Sequence, residues 1–421
     1  MRMIDTSNTM FPWYIPIFAR IFSLFFGVLA DKVFVDHAAT DVASLLGSDQ
    51  TSLWPLLAPF TRWDAVYYLN IAKYGYTSES QYAFFPLFPY CIRFIAHTLH
   101  HVNKGVFMTS LLDDDDINYY VIAGLIVSNV SFVISSWLLW QIFSTSNGVM
   151  KRSIILLFSF NPASVFFSTV YTESFYSLFT FSNVLVLEKY NNIYVSLVII
   201  TLSAFVRSNG PFNGILLMLH ILRGQHLHRV LTVRFMAGVT LLILFLYFLL
   251  LHTHNLGAVD ICSNSAVTSS TCSSHHFAFD GKVFHTAYQL IQYKHWGIGL
   301  FSYYLVKNIP NFLLAAPMIS ICAYIIRCSY KKIESNGYLR QLLQDSHCFN
   351  VIYMTALVAL IVAYAHVQII TRVICSSCPY LYYEIALLLT HHRELQVPLI
   401  SYLVLFNIAG AVLHGNNYPW T

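Results

Sequence analysis

Between Phe11 and Ala30 the chain runs through FPWYIPIFARIFSLFFGVLA with Arg20 as its one charge, and apolar stretches of this kind recur to the end of the sequence. Reading them against the roughly 20 residues a helix needs to cross a bilayer places spans near 11–30, 119–143, 153–171, 172–187, 193–206, 210–222, 235–254, 309–327, 349–370, 380–391 and 397–414. So many apolar runs cannot all hide in one water-soluble core. The expected class is an all-α polytopic membrane protein of about 11 transmembrane or re-entrant helices, forming a single membrane-embedded domain over 1–421. Only 10% of the residues are charged, against about 25% in soluble domains. The net charge of +4 is scattered, so no nucleic-acid partner is suggested. No small-residue cleavage site follows the first stretch, which therefore reads as an uncleaved span. Arg20 is costly in lipid and is expected to face protein, water or headgroups.

Several stretches are short for a crossing, and those within 153–222 are punctuated by NP, TES and RSNG. Broken helices persist where the freed backbone is buried in protein or lines a cavity. Lys151/Arg152, Lys189, Arg223/Arg229/Arg234, Arg327/Lys331/Lys332/Arg340 and Arg393 fall on one alternate set of connections, which marks the cytoplasmic side. The opposite, lumenal set holds two long loops, 31–118 and 255–308, and the C-terminus. Within the first loop VYYLNIAKY reads as a short interfacial helix. DDDD at 113–116 reads as a solvated loop, because consecutive side chains diverge on any regular backbone. Cys262 and Cys272 share a Ser-rich loop and would pair only if it faces an oxidising lumen. Cys375 and Cys378 form a CSSC that lacks the βαβ context of a redox motif. No His/Cys spacing matches a zinc site.

On the lumenal face the unusual polar residues gather from separate segments: Arg62, Trp63 and Asp64; Asn161 and Glu173; Arg207, Ser208 and Asn209; Lys294, His295 and Trp296; Gln368, Thr371 and Arg372. Ionisable groups at the edge of a membrane domain point to function by default. Each has a plainer reading. Arg62 and Arg372 could contact lipid phosphates, Glu173 could pair with Arg207, and His295 with Trp296 could be interfacial packing. Asn161–Pro162 suits a helix kink better than a ligand. Asp64 is hardest to set aside, and Arg62 is its expected partner. One carboxylate, several cations and an aromatic membrane surface suit sugar transfer from a polyprenyl phosphate. Arg207, Arg372 or Lys294 would meet the phosphate leaving group, and Asp64 would take the acceptor's proton. No metal or other cofactor is called for.

RWDAVYYLNIAKYGY with AFFPLFP, FNPASVFFSTVYTESFYSLFTF, AFVRSNG, IQYKHWGIGLFSYYLVKNIPNFLLAAP, HVQIITR with SSCPYLYY, and NNYPWT stand in one order along the chain. This ordered set resembles the GPI mannosyltransferase 2 (PIG-V) family from about residue 11 to Thr421. The resemblance implies a GT-C glycosyltransferase architecture in the endoplasmic reticulum membrane. It implies dolichyl-phosphate mannose as donor, a mono-mannosylated GPI lipid precursor as acceptor, an α-1,6 bond, and inversion in one displacement. It puts the functional Trp-Asp pair on Trp63 and Asp64. Arg62, Arg207, Arg372 and Lys294 are the phosphate-binding candidates, and Glu173, Asn209, His295, Trp296 and Gln368 the substrate-binding ones. A small membrane subunit is compatible with the sequence. The competing expectations are a dolichol-dependent transferase with an N-glycan precursor as acceptor, a lipid transporter, and a non-catalytic subunit. A transporter commonly shows inverted repeats, and none is evident.

Overall fold

A computed structural model of the chain describes residues 10–37, 54–106, 116–223, 287–335 and 346–420. Among these residues it is built of helices and turns, without strands, as the apolar runs require. The longer helices are α1 (Tyr14–Val33), α2 (Asp64–Tyr74), α3 (Leu87–Val106), α4 (Ile117–Ile142), α5 (Gly148–Ser159), α6 (Glu173–Leu185) and α7 (Ile193–Ala204). They continue as α8 (Asn213–Arg223), α9 (Ala287–Trp296), α10 (Ile309–Ser335), α11 (Ser346–Tyr364), α12 (Ile370–Ser377), α13 (Pro379–His391) and α14 (Arg393–Gly415). Among the described residues five helices are long and apolar enough to cross a membrane: α1, α4, the stretch Val306–Lys331, α11 and α14. The segments 367–377 and 379–391, bent by 95° at Cys378, make a sixth if counted as one broken span. The chain is thus an all-α polytopic membrane protein, with five or six full-length crossings among the described residues. The stretch 235–254 and the Cys262/Cys272 loop lie outside the described residues.

The expected span over 153–171 is instead two pieces. α5 stops at Ser159, Asn161–Pro162 turns the chain, and one helical turn follows at Ser164–Ser168. Proline has no N–H to continue the helix. Asn161 holds the turn from both sides, donating to Phe158 O (2.8 Å) and accepting from the Ala163 N–H (2.9 Å). The carbonyls freed by the break are met by two side chains from distant helices. Arg20 of α1 donates to Ser159 O (2.7 Å) and Ser164 O (3.1 Å), and to the hydroxyls of Ser164 and Ser168 (both 2.7 Å). Asn407 of α14 donates to Phe160 O (2.9 Å) and Asn161 O (3.1 Å). The buried Arg20 therefore faces protein, with its guanidinium 3.8 Å from the Phe132 ring centroid. An unmet polar group in hydrocarbon costs several kcal/mol, so these bonds are what let the helix break inside the bundle.

α4 is the central post. Asn129 on it donates to Ser168 O (2.9 Å) and Ser128 to Tyr171 O (3.2 Å). Gly124 on the same face lies so close to Val170 that a Cβ would meet it at 2.6 Å. α3 was not anticipated as an element: Arg93 and three histidines dilute its apolar residues. Arg93 caps α2, donating to Ala72 O (2.6 Å) and Ile71 O (3.2 Å) at that helix's last turn, where a cation also suits the helix dipole. The helix expected at the interface is thus α2, and Leu69, Ile71 and Ala72 bury it against the bundle. Asp116, last of the DDDD run, is the N-cap of α4, accepting from the Asn118 N–H at 2.9 Å.

Gly210 shows how tightly the RSNG turn is seated: a Cβ there would fall 2.3 Å from Ser203 O. Backbone cannot give way as a side-chain tip can. Gly210→Ala is expected to lower stability by about 1–3 kcal/mol, read as the thermal midpoint of the purified protein. An unchanged midpoint would mean the turn has room that its geometry denies.

Candidate active site

The ends of several helices meet at one place. Asp64 opens α2, Glu173 opens α6, Arg207 follows α7, and Arg372 lies in the first turn of α12. Glu173 is fully enclosed (0% exposed), and its Oε1 accepts from Arg372 Nε (2.8 Å) and contacts Arg372 Nη2 (2.7 Å). Arg207 Nη1 lies 2.8 Å from the same oxygen as an ion pair. Arg372 Nη2 also donates to Asp64 Oδ2 at 3.2 Å. One buried carboxylate thus gathers two guanidiniums, and one of these reaches out to a second carboxylate. The Asp64 side chain is 35% exposed and the arginines 13–15%, so the cluster grades from a sealed anion to an accessible one.

The cation beside Asp64 is Arg372, which corrects the expected Arg62–Asp64 pair. Arg62 turns away. Its Nη2 donates to Asp31 Oδ1 (3.0 Å) and Asp36 Oδ2 (2.8 Å), and its Nε to Gly415 O (3.2 Å). It ties the turn carrying Asp64 to the ends of α1 and α14. Nearby the His37 N–H donates to Asn416 O at 2.9 Å.

Between Arg62 and Asp64, Trp63 sits at φ 56°, ψ −122°. A bulky residue at positive φ is strained, at a cost of about 1–3 kcal/mol. The residue is 41% exposed. The turn is clasped from beneath by Tyr171, whose hydroxyl accepts from the Asp64 N–H and donates to Arg62 O, both at 3.2 Å. The Tyr171 and Phe166 rings also underlie Arg372, 5.0 and 4.3 Å from its guanidinium carbon. Tyr171 was not singled out from sequence. Its signal, a tyrosine two residues before Glu173 in a Ser/Thr-rich break, is weak.

The other expected residues lie in two further layers. Asn209 is buried, donating weakly to Ser377 Oγ (3.4 Å), and its carbonyl accepts from Tyr176 OH (3.2 Å). Asn213, also missed, donates to Tyr176 OH, Thr180 Oγ1 and Ser203 Oγ at 3.2–3.3 Å and accepts from Tyr353 OH at 3.1 Å. This network fixes the turn that carries Arg207. On the other flank α9 lies over the turn at 79–83. Lys294 pairs with Glu79 (2.6 Å), and His295 Nε2 is 3.7 Å from the same carboxylate. Trp296 stands edge-on to Phe84 (6.0 Å) and Tyr67 (6.2 Å). Burial, and then the Asp64 carboxylate, raises the Tyr67 phenol above its ordinary value. On α9 as well, burial raises Tyr288, which bonds Ser208 and Gln292 and lies near Arg207. Gln368 keeps its Oε1 buried without a partner among the described residues. Cys375 and Cys378 are buried free thiols. No group of three metal-ligating side chains occurs among the described residues.

An acid–arginine cluster where helix ends of an apolar bundle converge defines a membrane protein with a polar centre inside its helices. The chain belongs to the Mannosyltransferase (PIG-V) family, whose profile matches residues 13–421. It is similar to GPI mannosyltransferase 2 of Drosophila pseudoobscura pseudoobscura, at 26% identity over 87% of this chain and 87% of that one. The same-named protein of Drosophila melanogaster is 24% identical over 96% of this chain and 98% of its own length. Human GPI alpha-1,6-mannosyltransferase 2 is 25% identical over 89% of this chain and 83% of its own. No solved structure matches the chain. Family membership carries glycosyltransferase activity.

Proposed function

We propose that the chain transfers an α-1,6-linked mannose from dolichyl-phosphate mannose to the mono-mannosylated GPI precursor, at the lumenal face of the endoplasmic reticulum membrane, within a GT-C architecture. The observation that carries this reading is the Asp64–Arg372–Glu173–Arg207 cluster, with its accessible carboxylate in front and its arginines held behind. The names of the relatives supply the acceptor class and the linkage.

In this mechanism the acceptor's 6-hydroxyl oxygen attacks the anomeric carbon while the bond from that carbon to the phosphate oxygen breaks. Asp64 takes the hydroxyl proton, and dolichyl phosphate leaves as an anion. Attack from the face opposite a β-linked phosphate inverts the centre and gives the α product. Arg372 and Arg207 meet the developing phosphate charge. Held by the buried Glu173, they need no reorganisation when that charge forms. The exposed Trp63 ring offers a stacking face for a sugar, and the unpartnered Gln368 Oε1 an acceptor for a sugar hydroxyl. Asn209, Lys294, His295 and Trp296 shape the walls, and Arg62 braces the turn. A small membrane subunit is compatible with this scheme, though the described surface assigns it no place.

The test uses microsomes from cells lacking the second GPI mannose, supplied with this chain and labelled dolichyl-phosphate mannose, with GPI lipids resolved by mass. The expected result is conversion of the one-mannose lipid to the two-mannose lipid. A labelled N-glycan precursor instead would overturn the acceptor. No lipid product from well-expressed chain would overturn the donor reading.

A further inference from the structure

We propose that the Tyr171 hydroxyl is a positioning group for the reaction: it clasps the strained Arg62–Trp63–Asp64 turn and thereby sets where the Asp64 carboxylate stands. The inference rests on the reading of Asp64 as the base. Trp63 occupies a backbone conformation that glycine accepts and tryptophan resists. Such strain persists only where the surroundings over-determine it. Among the described residues, the start of α2 holds one side of the turn, the Ala65 N–H donating to Arg62 O and the Val66 N–H to Trp63 O (both 3.2 Å). The Tyr171 hydroxyl bonds the backbone on both sides of Trp63, accepting from the Asp64 N–H and donating to Arg62 O. The Arg62 side chain is tied separately to Asp31, Asp36 and Gly415 O.

Tyr171 is itself fixed. Its carbonyl accepts from Ser128 on α4 (3.2 Å) and its N–H donates to Thr169 O (2.8 Å). Its ring is wedged edge-on between Phe166 (5.1 Å) and His414 (5.4 Å) beneath the Arg372 guanidinium. One rigid ring therefore underlies both members of the Asp64–Arg372 pair, and its hydroxyl sets the height of the carboxylate relative to the guanidinium. Without the hydroxyl, the turn would relax toward negative φ at Trp63 and carry Asp64 off its line to the reacting oxygen.

Tyr171→Phe removes the oxygen and keeps the wedge. It should lower kcat by about 10²-fold while the KM for either lipid stays near its starting value. The variant should also melt at a lower temperature. In the Trp63→Gly background there is no strain for the turn to release, so the same change should cost more thermal stability than it does in the native background. A purely structural tyrosine would cost the same in both backgrounds. Equal stability losses in the two backgrounds, or a normal kcat in Tyr171→Phe, overturn the clasp. Asp64→Asn is assayed beside them. If it turns over normally, the base reading falls, while the stability cycle still decides the clasp. If it is inactive and Tyr171→Phe is fully active, the positioning role alone falls.

Discussion

Asp64→Asn is expected to leave the protein folded and to lower mannose transfer by about 10²–10⁴-fold, the usual worth of a general base. The amide keeps the size of the side chain but cannot take the acceptor's proton. The scaffold should tolerate the change, because Arg372 keeps both its contacts to Glu173, at 2.7 and 2.8 Å. Turnover per folded molecule is the measurement, in matched membranes with defined lipid substrates. Normal turnover in a well-expressed variant would sink the base assignment.

Glu173→Gln is expected to fail differently. This carboxylate is sealed and holds two arginines, so its loss leaves Arg207 without its ion-pair partner and Arg372 with Asp64 alone. Breaking a buried pair by removing one member costs about 3–5 kcal/mol. The variant should show a much lower thermal midpoint in detergent and a poor folded yield, with activity lost as a consequence. A variant of native stability that had lost affinity for a lipid substrate would point the other way, to Glu173 as a substrate contact.

The class of fold was legible because the apolar runs are a global property that no single contact can overturn. The gathering of Asp64, Glu173, Arg207 and Arg372 was legible for a related reason. Each is an ion beside an apolar stretch, and ions in such places need company. Which ion keeps company with which was not legible. Arg62 is two residues from Asp64, and adjacency favoured that pair. The strained Trp63 instead sends the two side chains apart, and positive φ in a tryptophan leaves no trace in a sequence. The helix count failed at 153–171 because hydropathy sums side chains and ignores where backbone carbonyls find partners. Arg20 and Asn407 supply those partners from segments far away in the chain. α3 was missed for the converse reason: its polar residues find specific uses, such as Arg93 capping α2, that lower its hydropathy without lowering its fit.

The Arg62 brace also bears on how the protein is made. Its carbonyl acceptor, Gly415 O, lies 353 residues downstream of the guanidinium it receives. During synthesis the turn carrying Asp64 is therefore threaded and exposed long before α14 arrives to close around it. A nascent chain stalled before its last helix would keep the Tyr171 bonds to that turn but leave Arg62 with Asp31 and Asp36 alone. The brace between the two ends of the chain is therefore complete only once the last helix is in place.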